Sequence, residues 1–390
     1  MTETDTQLQA IRQGLTAGEF IFHYQPQISL LTGKVCGAEA LIRWQRDDTL
    51  VPPAAFIPLA ERTGLITDIT AAMFPRFVED VCILHDMFPS LHVSMNITAQ
   101  DLENDAFVDQ VERVMGTLAF TEPVITFEIT ETTALGLLAE NRRLMDRLTA
   151  MHIRLAMDDF GTGYSNLASL AHAPFAEVKL DKSLMDNILQ DEKKRILIKD
   201  SVRMAHRLGI EVVGEGVETD DVLVFLQGIG CPCAQGFAMS RPLPLENFTR
   251  FADSWVSPIA TNPIGILHLA QLDHIEWRKD TIDRALRFDP AKDDKRDLFT
   301  ESRINPTQCM FGRWYHAVTS ELAQLDAFKA IDEPHTELHL LGHQLLSEAT
   351  KATRSNERLM ALSRELTRRS LKLLALLHEL ESDMLERSQQ

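Results

Sequence analysis

The feature that most constrains this chain is an alternation of short β-type runs with longer amphipathic segments between residue 20 and about residue 245. The β-type runs are FIFHYQPQISL, KVCGAEALIRW, LHVSMNIT, VITFEIT, IRLAMDDF, AEVKL, IEVVGEGV and PCAQGF. Amphipathic segments such as 66–87 and 195–208 separate them. This alternation predicts a parallel sheet closed into a barrel, in which the carboxyl ends of the strands meet on one face.

The pattern changes after Arg241. The segments PLPLENF and SPIATNPIG are rich in proline, and no β-type run follows them. From Ile266 onward, apolar residues follow helical spacing. We therefore predict a barrel domain over residues 1–255, a linker over 256–265 and an all-α helical bundle over 266–390 that includes a C-terminal helical extension. The last helix is either a coiled-coil seam or an ordinary bundle helix.

Charge and composition argue against several classes of protein. The formal net charge is −18, and such a field repels the phosphates of nucleic acids. No apolar run approaches the roughly 18 residues of a membrane span, and the N-terminus lacks the pattern of a secretory signal. We therefore expect a cytoplasmic protein. Five scattered cysteines do not form a disulfide framework, and buried packing is the better explanation for Cys231 and Cys233.

Polar side chains cluster where the predicted strands end. They lie in AEAL, MNIT, FEITE, MDDFG, VKLD, GEGVE and AQGF: Glu39, Asn96, Glu128, Asp158, Asp159, Lys179, Glu215 and Gln235. Carboxylate and amide oxygens suit Mg²⁺ or Mn²⁺, which use nearly the same ligands. Adjacent aspartates can give one bridging and one terminal ligand to a metal pair. Two such metals stabilise the attacking and leaving oxygens of a phosphoryl displacement.

An acidic residue at one strand end is more often a helix cap or a solvated loop residue than a metal ligand. Capping alone does not account for so many acidic, amide and lysine side chains at successive strand ends. The set therefore predicts a metal-dependent site at the carboxyl end of the barrel.

The motifs around these residues resemble those of the EAL-domain phosphodiesterases. The sequence carries Glu39-Ala40-Leu41 within GAEALIRW, together with YQPQ, MNIT, FEITE, DDFGTGYSNL, VKLD, GEGVE and AQGF in the family's order. The resemblance covers residue 10 to about residue 250. It implies a modified TIM (β/α)₈ barrel with one strand running against the others, and hydrolysis of cyclic di-GMP to linear pGpG.

The resemblance also implies a role for each polar residue. One of two Mg²⁺ or Mn²⁺ ions would be held by four side chains: Glu39, Asn96, Glu128 and Asp158. Asp158 would bridge to the second ion, which Asp159 and Glu215 would serve. Lys179 would orient or polarise the attacking water, and Gln235 would support the same network. The catalytic groups would thus be Glu39, Asp159, Lys179 and Glu215.

Substrate contacts are implied for four residues: Gln25, Leu41, Arg43 and Gln235. The planar guanidinium of Arg43 suits a phosphate, and its alternative role is a surface salt bridge. The stretch 159–165 resembles the family's mobile loop, which Glu131 and Glu218 would anchor. In active relatives this loop couples dimerisation to metal binding.

Beyond residue 265, histidines and a cysteine suggest a second metal site. His335 and His339 lie four residues apart, so a helix places them on one face. With His274 and Cys309 they would complete a tetrahedral zinc site, although two such histidines are more often surface or core residues. Residues 266 to about 350 resemble the CZB (chemoreceptor zinc-binding) module in HIEW, CMFGRWY and HTELH. The resemblance implies these four ligands, one Zn²⁺ and a helical bundle that commonly dimerises.

Together the two halves predict a homodimeric cyclic di-GMP phosphodiesterase. The resemblance to the CZB module implies regulation by zinc or by oxidation of the ligating cysteine, and the reactivity of zinc-bound thiolates is consistent with this. Two alternatives are a non-catalytic effector that binds cyclic di-GMP and a scaffold whose helical part recruits a partner. The intact ligand set favours catalysis.

Overall fold

The structure is a computed structural model. It describes residues 3–118, 120, 122–134, 142–161, 174–259, 262–290, 292–293, 305–307, 309–318, 321–351 and 353–388. The chain divides into two compact units. The first, here called the barrel unit, comprises Met1–Asp200, Ile210–Val224 and Pro232–Ala260. The second, here called the helical unit, comprises Ser201–Gly209, Phe225–Cys231 and Thr261–Gln390.

The described residues contain ten β-strands. They are β1 (Phe20–Ser29), β2 (Val35–Arg46), β3 (Thr49–Val51), β4 (His92–Asn96), β5 (Ile125–Thr130), β6 (Ile153–Phe160), β7 (Glu177–Leu180), β8 (Glu211–Gly214), β9 (Cys233–Gln235) and β10 (Leu243–Pro244). Eight of them follow the order β1-β9-β8-β7-β6-β5-β4-β2, and β2 pairs back onto β1. The barrel is therefore closed, and β1 runs antiparallel to both of its barrel neighbours, which confirms the predicted modified TIM barrel.

Helices alternate with these strands. They are α1 (Glu3–Ala17), α2 (Ile57–Arg62), α3 (Leu65–Met87), α4 (Ala99–Glu103), α5 (Asp105–Met115), α6 (Arg142–Ala150), α7 (Lys182–Met185), α8 (Glu192–Leu208), α9 (Asp220–Gly228) and α10 (Leu245–Ser254). The predicted amphipathic segments 66–87 and 195–208 correspond to α3 and α8. Helix α3 buries Ile69, Met73 and Phe77, whose spacing of four residues forms one apolar face toward the sheet.

Two strands are shorter than the predicted β-type runs. β8 ends at Gly214 and β9 at Gln235, although the apolar runs continue. Gly216 has φ of +64°, a left-handed conformation that ends the extended backbone. At Gly236 a Cβ atom would lie 2.1 Å from the carbonyl oxygen of Val217, so only glycine permits this close approach. The two chain segments therefore cross tightly just beyond the strand ends.

The described part of the helical unit beyond residue 261 contains no strand, as predicted. Its helices are α11 (Ile264–Arg287), α12 (Met310–Ala317), α13 (Asp326–Lys329), α14 (Asp332–Ala349) and α15 (Asn356–Ser388). Helix α15 buries Leu359, Leu366 and Leu373 at intervals of seven residues. Gly342 of α14 meets Trp277 of α11, and a Cβ at Gly342 would lie 2.3 Å from the indole ring. Among the described helices, none has the length and apolar character needed to cross a membrane.

Candidate active site and metal centre

Polar residues at the ends of the barrel strands converge on the ammonium group of Lys179. Its Nζ lies 2.6 Å from Glu128 Oε2, 2.7 Å from Glu215 Oε1 and 3.0 Å from Glu39 Oε2. Asp158 Oδ1 lies 3.6 Å away. Both Lys179 and Glu128 are 0% exposed. Barrel closure thus brings together polar groups that the sequence spreads between residues 39 and 215.

Side-chain amides orient the carboxylate of Glu39. Asn96 Nδ2 donates a hydrogen bond to Glu39 Oε1 (2.7 Å), and Gln235 Nε2 donates to Glu39 Oε2 (2.6 Å). Gln27 Nε2 donates in turn to Gln235 Oε1 (3.0 Å). Gln235 Nε2 also lies within hydrogen-bond distance of Gln25 Oε1 (3.2 Å). Both oxygens of Glu39 therefore accept hydrogen bonds, which fixes the direction of this carboxylate.

A bulge explains how two adjacent aspartates share one site. Between Met157 and Phe160, the pairing of β6 with β7 shifts, so β6 carries an extra residue opposite Lys179. Asp159 has φ of +58°, in the left-handed region that aspartate tolerates better than most residues. Its N–H donates to Asp158 Oδ1 (2.9 Å). Regular strand alternation would send the two carboxylates to opposite faces of the sheet.

Burial and mutual repulsion keep protons on part of this cluster. Burial raises the pKa of Glu215 to about 8. Burial, together with the nearby Glu39, raises the pKa of Glu128 well above its ordinary value. Burial opposes ionisation of Glu39 too, but Lys179 and the amide donors hold its pKa below the ordinary value. The pKa of Lys179 is raised in spite of burial, because the surrounding carboxylates stabilise its charge.

The cluster fits divalent cations by charge and by donor type. One ammonium group, that of Lys179, stands against five carboxylates, which leaves four negative charges when all are ionised: Glu39, Glu128, Asp158, Asp159 and Glu215. Two divalent cations would balance that charge, and oxygen donors suit Mg²⁺ or Mn²⁺. Glu128 Oε1 is buried and accepts no hydrogen bond from the residues that the structure describes. That oxygen is therefore available to a cation.

A cleft of ≈ 240 Å³ opens beside the cluster. Three of the four predicted substrate contacts, Gln25, Leu41 and Gln235, line this cleft. Arg43, the fourth, is not among the lining residues, and its Nη1 donates to the carbonyl oxygen of Ile42 (2.9 Å). The structure thus brings every predicted metal ligand, catalytic group and substrate contact of the barrel except Arg43 either to the cleft or to the network around Lys179.

The predicted loop anchors lie in different surroundings. Glu131, directly after β5, is buried. Glu218 lines the cleft and pairs with Lys182 Nζ at 2.6 Å. Residues 162–173, which include most of the predicted mobile loop, lie outside the described residues. The proposed coupling between this loop and metal binding stays a prediction.

Two polar residues of the site were missed by the sequence analysis, Gln27 and Lys182. Gln27 lies two residues after Gln25 on β1, and the two-residue period of a strand places both on one face. The two-residue period of the strand is the sequence signal that could have identified Gln27. Lys182 lines the cleft at the start of α7, three residues after Lys179, and no periodic pattern points to it.

In the helical unit, the four predicted zinc ligands come together. One donor atom from each lies within 4.8 Å of the others: His274, Cys309, His335 and His339. Cys309 Sγ is 3.3 Å from His335 Nε2. The two histidines of α14 meet one from α11, and Cys309 stands directly before α12. Three imidazoles and one thiol match the number and type of donors in structural zinc sites.

Further contacts orient two of these donors. His274 Nδ1 lies 2.6 Å from the carbonyl oxygen of Ala270. A carbonyl only accepts, so Nδ1 carries the proton and Nε2 keeps its lone pair for a metal. The N–H of Gly312 donates to Cys309 Sγ (3.2 Å). A Cβ at Gly312 would lie 1.7 Å from the carbonyl oxygen of Pro306, so glycine is required there.

The electrostatics of this cluster also fit zinc. Burial lowers the pKa of His274, and burial with the neighbouring imidazoles lowers the pKa of His335 to about 2. Both rings are therefore neutral, as metal ligands must be. Burial raises the pKa of Cys309 to about 11, so the thiol keeps its proton until a metal displaces it.

Family models match both parts of the chain. The model described as EAL domain matches residues 8–242. The model described as chemoreceptor zinc-binding domain matches residues 274–346. The second match contains all four residues of the histidine and cysteine cluster.

Curated relatives are similar to the first part of the chain. The signaling protein YkoW of Bacillus subtilis is 35% identical over 242 residues, which cover 62% of this chain and 30% of that protein. The bifunctional diguanylate cyclase/cyclic di-GMP phosphodiesterase MucR of Pseudomonas aeruginosa is 31% identical over 61% of this chain and 35% of its own length. The cyclic di-GMP phosphodiesterase RocR of the same species is 32% identical, with coverage of 60% on both sides. The chain thus spans about a third of the length of the first two of these relatives.

Solved structures show the same barrel. The phosphodiesterase of PaMucR in complex with c-di-GMP superimposes with a TM-score of 0.59 at 31% identity, covering 62% of this chain and 99% of that chain. The EAL enzyme Bd1971, bound to cAMP and cyclic-di-GMP, gives a TM-score of 0.60 at 25% identity, with coverage of 65% and 70%. Because the EAL-domain model matches more than half of the chain and the barrel carries its motifs at the strand ends, the chain belongs to the EAL-domain family.

Proposed function

We propose that the barrel unit hydrolyses cyclic di-GMP to linear pGpG, using two divalent cations, Mg²⁺ or Mn²⁺. One observation carries this proposal: Nζ of Lys179, a residue that lines the cleft, lies within 3.6 Å of four carboxylates. A buried cluster with this excess of acid is costly to fold unless cations or protons neutralise it. The relatives named as cyclic di-GMP phosphodiesterases support the choice of substrate.

In this proposal the carboxylate cluster holds the cations. The ligands would be Glu39, Asn96, Glu128, Asp158, Asp159 and Glu215. When bound, such cations activate water as Lewis acids and neutralise charge that develops on the phosphate. Asn96 and Gln235 already hold Glu39 in place from both sides. Little reorganisation of this ligand would therefore be needed when a cation binds.

Lys179 would act on water and on the phosphate in the same site. The side chain of Lys179 is protonated, because the surrounding carboxylates raise its pKa. The ammonium group has three hydrogen-bond donors and four carboxylate neighbours in the structure. With cations bound to some of these oxygens, an N–H of the Lys179 ammonium group would be free to orient the attacking water. Gln25, Leu41 and Gln235 would position the dinucleotide from the walls of the cleft, and we keep Arg43 as a phosphate contact.

Purified full chain incubated with cyclic di-GMP and Mg²⁺ or Mn²⁺ tests this proposal. Chromatography should show conversion to pGpG that a chelator such as EDTA stops. Glu128→Gln should abolish conversion while nucleotide binding persists, and the exposed Glu79→Gln is the matched control. Binding without product under every metal condition would instead favour the non-catalytic effector.

We also propose that the helical unit holds one Zn²⁺ and that its occupancy, or oxidation of Cys309, changes the phosphodiesterase rate. The neutral imidazoles of His274 and His335 and the half-buried, protonated thiol of Cys309 support the metal assignment. Hydrolysis rates of zinc-loaded, zinc-stripped and Cys309→Ala protein should differ. Identical kinetics for the three would remove the regulatory part and leave the enzyme.

Three further predictions stay as proposals. They are the division at residues 1–255, 256–265 and 266–390, the homodimer, and the cytoplasmic location. Glu131 and Glu218 stay as the proposed anchors of the loop over 159–165. Light scattering of the full chain tests the dimer. Removal of residues 256–390, with localisation of the remainder in cells, tests whether the helical part serves as a scaffold.

A further inference from the structure

Two thiols of the barrel unit face each other although they are 197 positions apart. Cys36 Sγ and Cys233 Sγ are separated by 3.3 Å. Neither forms a disulfide in the structure. The pair takes no part in the proposed hydrolysis, and it is distinct from the histidine and cysteine cluster of the helical unit.

Barrel closure and a bulge bring these thiols together. Gln27 of β1 pairs with Gly37, and the next residue, Ile28, pairs with Val35. Cys36 is therefore the extra residue of a bulge, and bulges redirect side chains. On the other edge of β1, the neighbouring residue Ser29 pairs with Cys233. The last residues of β1 thus hold both cysteine-bearing strands, one on each side.

Exposure distinguishes this pair from a packed cysteine. Cys231, two residues before Cys233, is 0% exposed and belongs to the core. Cys36 and Cys233 are both half-buried, so a small oxidant can reach them. The sequence suggested buried packing for both Cys231 and Cys233, and the structure agrees with this for Cys231 alone. Cys36 carried no signal in the sequence, because its partner is contributed by the last barrel strand.

We propose that Cys36 and Cys233 are an oxidative modification site that a peroxide closes into a disulfide. One thiolate attacks the peroxide, so an S–O bond forms and the O–O bond breaks, giving a sulfenic acid and water. The second thiolate attacks that sulfur, so the S–S bond forms and hydroxide leaves to become water. Two thiols lose two electrons and two protons, and one hydrogen peroxide is reduced to two waters.

The disulfide would disturb the carboxylate cluster, a consequence that rests on the proposed phosphodiesterase function. Bond formation shortens the sulfur separation from 3.3 Å to about 2.05 Å. Cys233 lies two residues before Gln235, and Cys36 lies three residues before Glu39. The hydrogen bond from Gln235 Nε2 to Glu39 Oε2 (2.6 Å) joins these two strands at the site. A shift of about 1 Å in such a contact lowers turnover by roughly 10²-fold.

Peptide mapping of the full chain tests the site directly. The protein is treated with hydrogen peroxide, remaining thiols are alkylated, and a tryptic digest is analysed without reduction. Peptide 35–43 should become linked to peptide 208–250, and dithiothreitol should release it. Cys36→Ser and Cys233→Ser should each abolish the link, whereas Cys82→Ser should leave it intact. A link that persists in Cys233→Ser, or no link in the wild type, overturns the proposal.

Hydrolysis measured on the same samples tests the consequence. Wild-type turnover should fall about 10- to 100-fold on oxidation and recover with dithiothreitol. Cys36→Ser keeps Cys309, so a peroxide effect exerted through zinc would persist in this variant. Equal loss in the two proteins rejects control by the thiol pair. If the reduced wild type does not hydrolyse cyclic di-GMP, the proposed function is rejected. The presence or absence of the peptide link then still shows whether Cys36 and Cys233 form the modification site.

Discussion

In the barrel unit, carboxylates surround the ammonium group of Lys179, whereas the donors in the helical unit are three imidazoles and one thiol. Both clusters are buried, and burial makes each retain protons that a metal would displace. Glu215 has a pKa of about 8 and Cys309 a pKa of about 11 for this reason. The first cluster carries its own counter-ion, whereas in the second cluster His274, His335 and Cys309 are neutral until a metal binds.

Because of this difference in charge, the two clusters would use a bound metal in different ways. In the barrel unit, Lys179 offsets part of the repulsion between the carboxylates, so the proposed ligands would stay assembled if a cation left. In the helical unit, metal binding must remove the thiol proton of Cys309 and would then tie three helices together. We therefore expect loss of metal to cost the barrel unit its activity and the helical unit its stability.

The largest effect is expected for Lys179→Met. Removing the ammonium group leaves buried carboxylates without their counter-ion and removes the donor that would orient water, so turnover should fall about 10³-fold. The zinc content of the helical unit should not change. Steady-state hydrolysis and elemental analysis measure both quantities, with the exposed Lys199→Met as control. Activity within tenfold of wild type would show that Lys179 has only a structural role.

The second effect concerns zinc affinity. His335→Ala should lower it at least about 10²-fold, because a ligand is lost from a closed four-donor site. His343→Ala removes a histidine from the same helix outside the cluster and should keep the metal. Competition with a chromophoric chelator gives the affinities. Equal affinities in the two variants would mean that the cluster does not hold zinc.

A smaller effect is expected for Gln27→Ala in the barrel unit. Gln27 contacts Gln235, which contacts Glu39, so it acts as a positioning residue one step removed from the ligands. Loss of such an outer contact should lower kcat/KM about tenfold, mainly through kcat and with a weaker apparent affinity for Mg²⁺. The exposed Gln13→Ala should behave as wild type. A change confined to KM would instead place Gln27 in substrate binding.

The smallest effect is a dependence of stability on pH in metal-free protein. Glu215 binds its proton more tightly in the folded state, where its pKa is about 8, than in the unfolded chain. Its contribution is therefore complete below the unfolded pKa and is lost as the pH rises toward 8. We expect the free energy of unfolding to fall by about 1 kcal/mol or more over this window. Urea titrations should show that Glu215→Gln flattens the slope and that the exposed Glu218→Gln does not.

The barrel and most of its polar site could be predicted from the sequence because strand ends are marked by residue type. The run IRLAMDDF coincides with β6, and each motif supplies one or two polar side chains to the face on which the parallel strands end. The helical cluster was predictable only in part from spacing, since two of its donors share α14 and the others are distant in sequence. Resemblance to a known module supplied the remaining ligands.

The features of the site that the sequence did not reveal depend on the pairing of strands that are distant in sequence. The bulge that aligns Asp158 with Asp159 arises from the register between β6 and β7. The contact of Cys36 with Cys233 arises from the closure of the barrel through β1. Arg43 donates to the backbone carbonyl of Ile42 beside it, and its predicted contact with substrate stays a prediction. Register and side-chain direction are properties of the assembled sheet.

The position of Cys309 at the start of α12 has a consequence for local unfolding. Its sulfur accepts the N–H of Gly312 and thereby caps the helix that it precedes. Oxidation of this sulfur would weaken the capping bond that it accepts. The first turn of α12 then frays before the rest of the unit opens. Hydrogen exchange at the single amide of Gly312 should therefore report on the chemical state of the thiol.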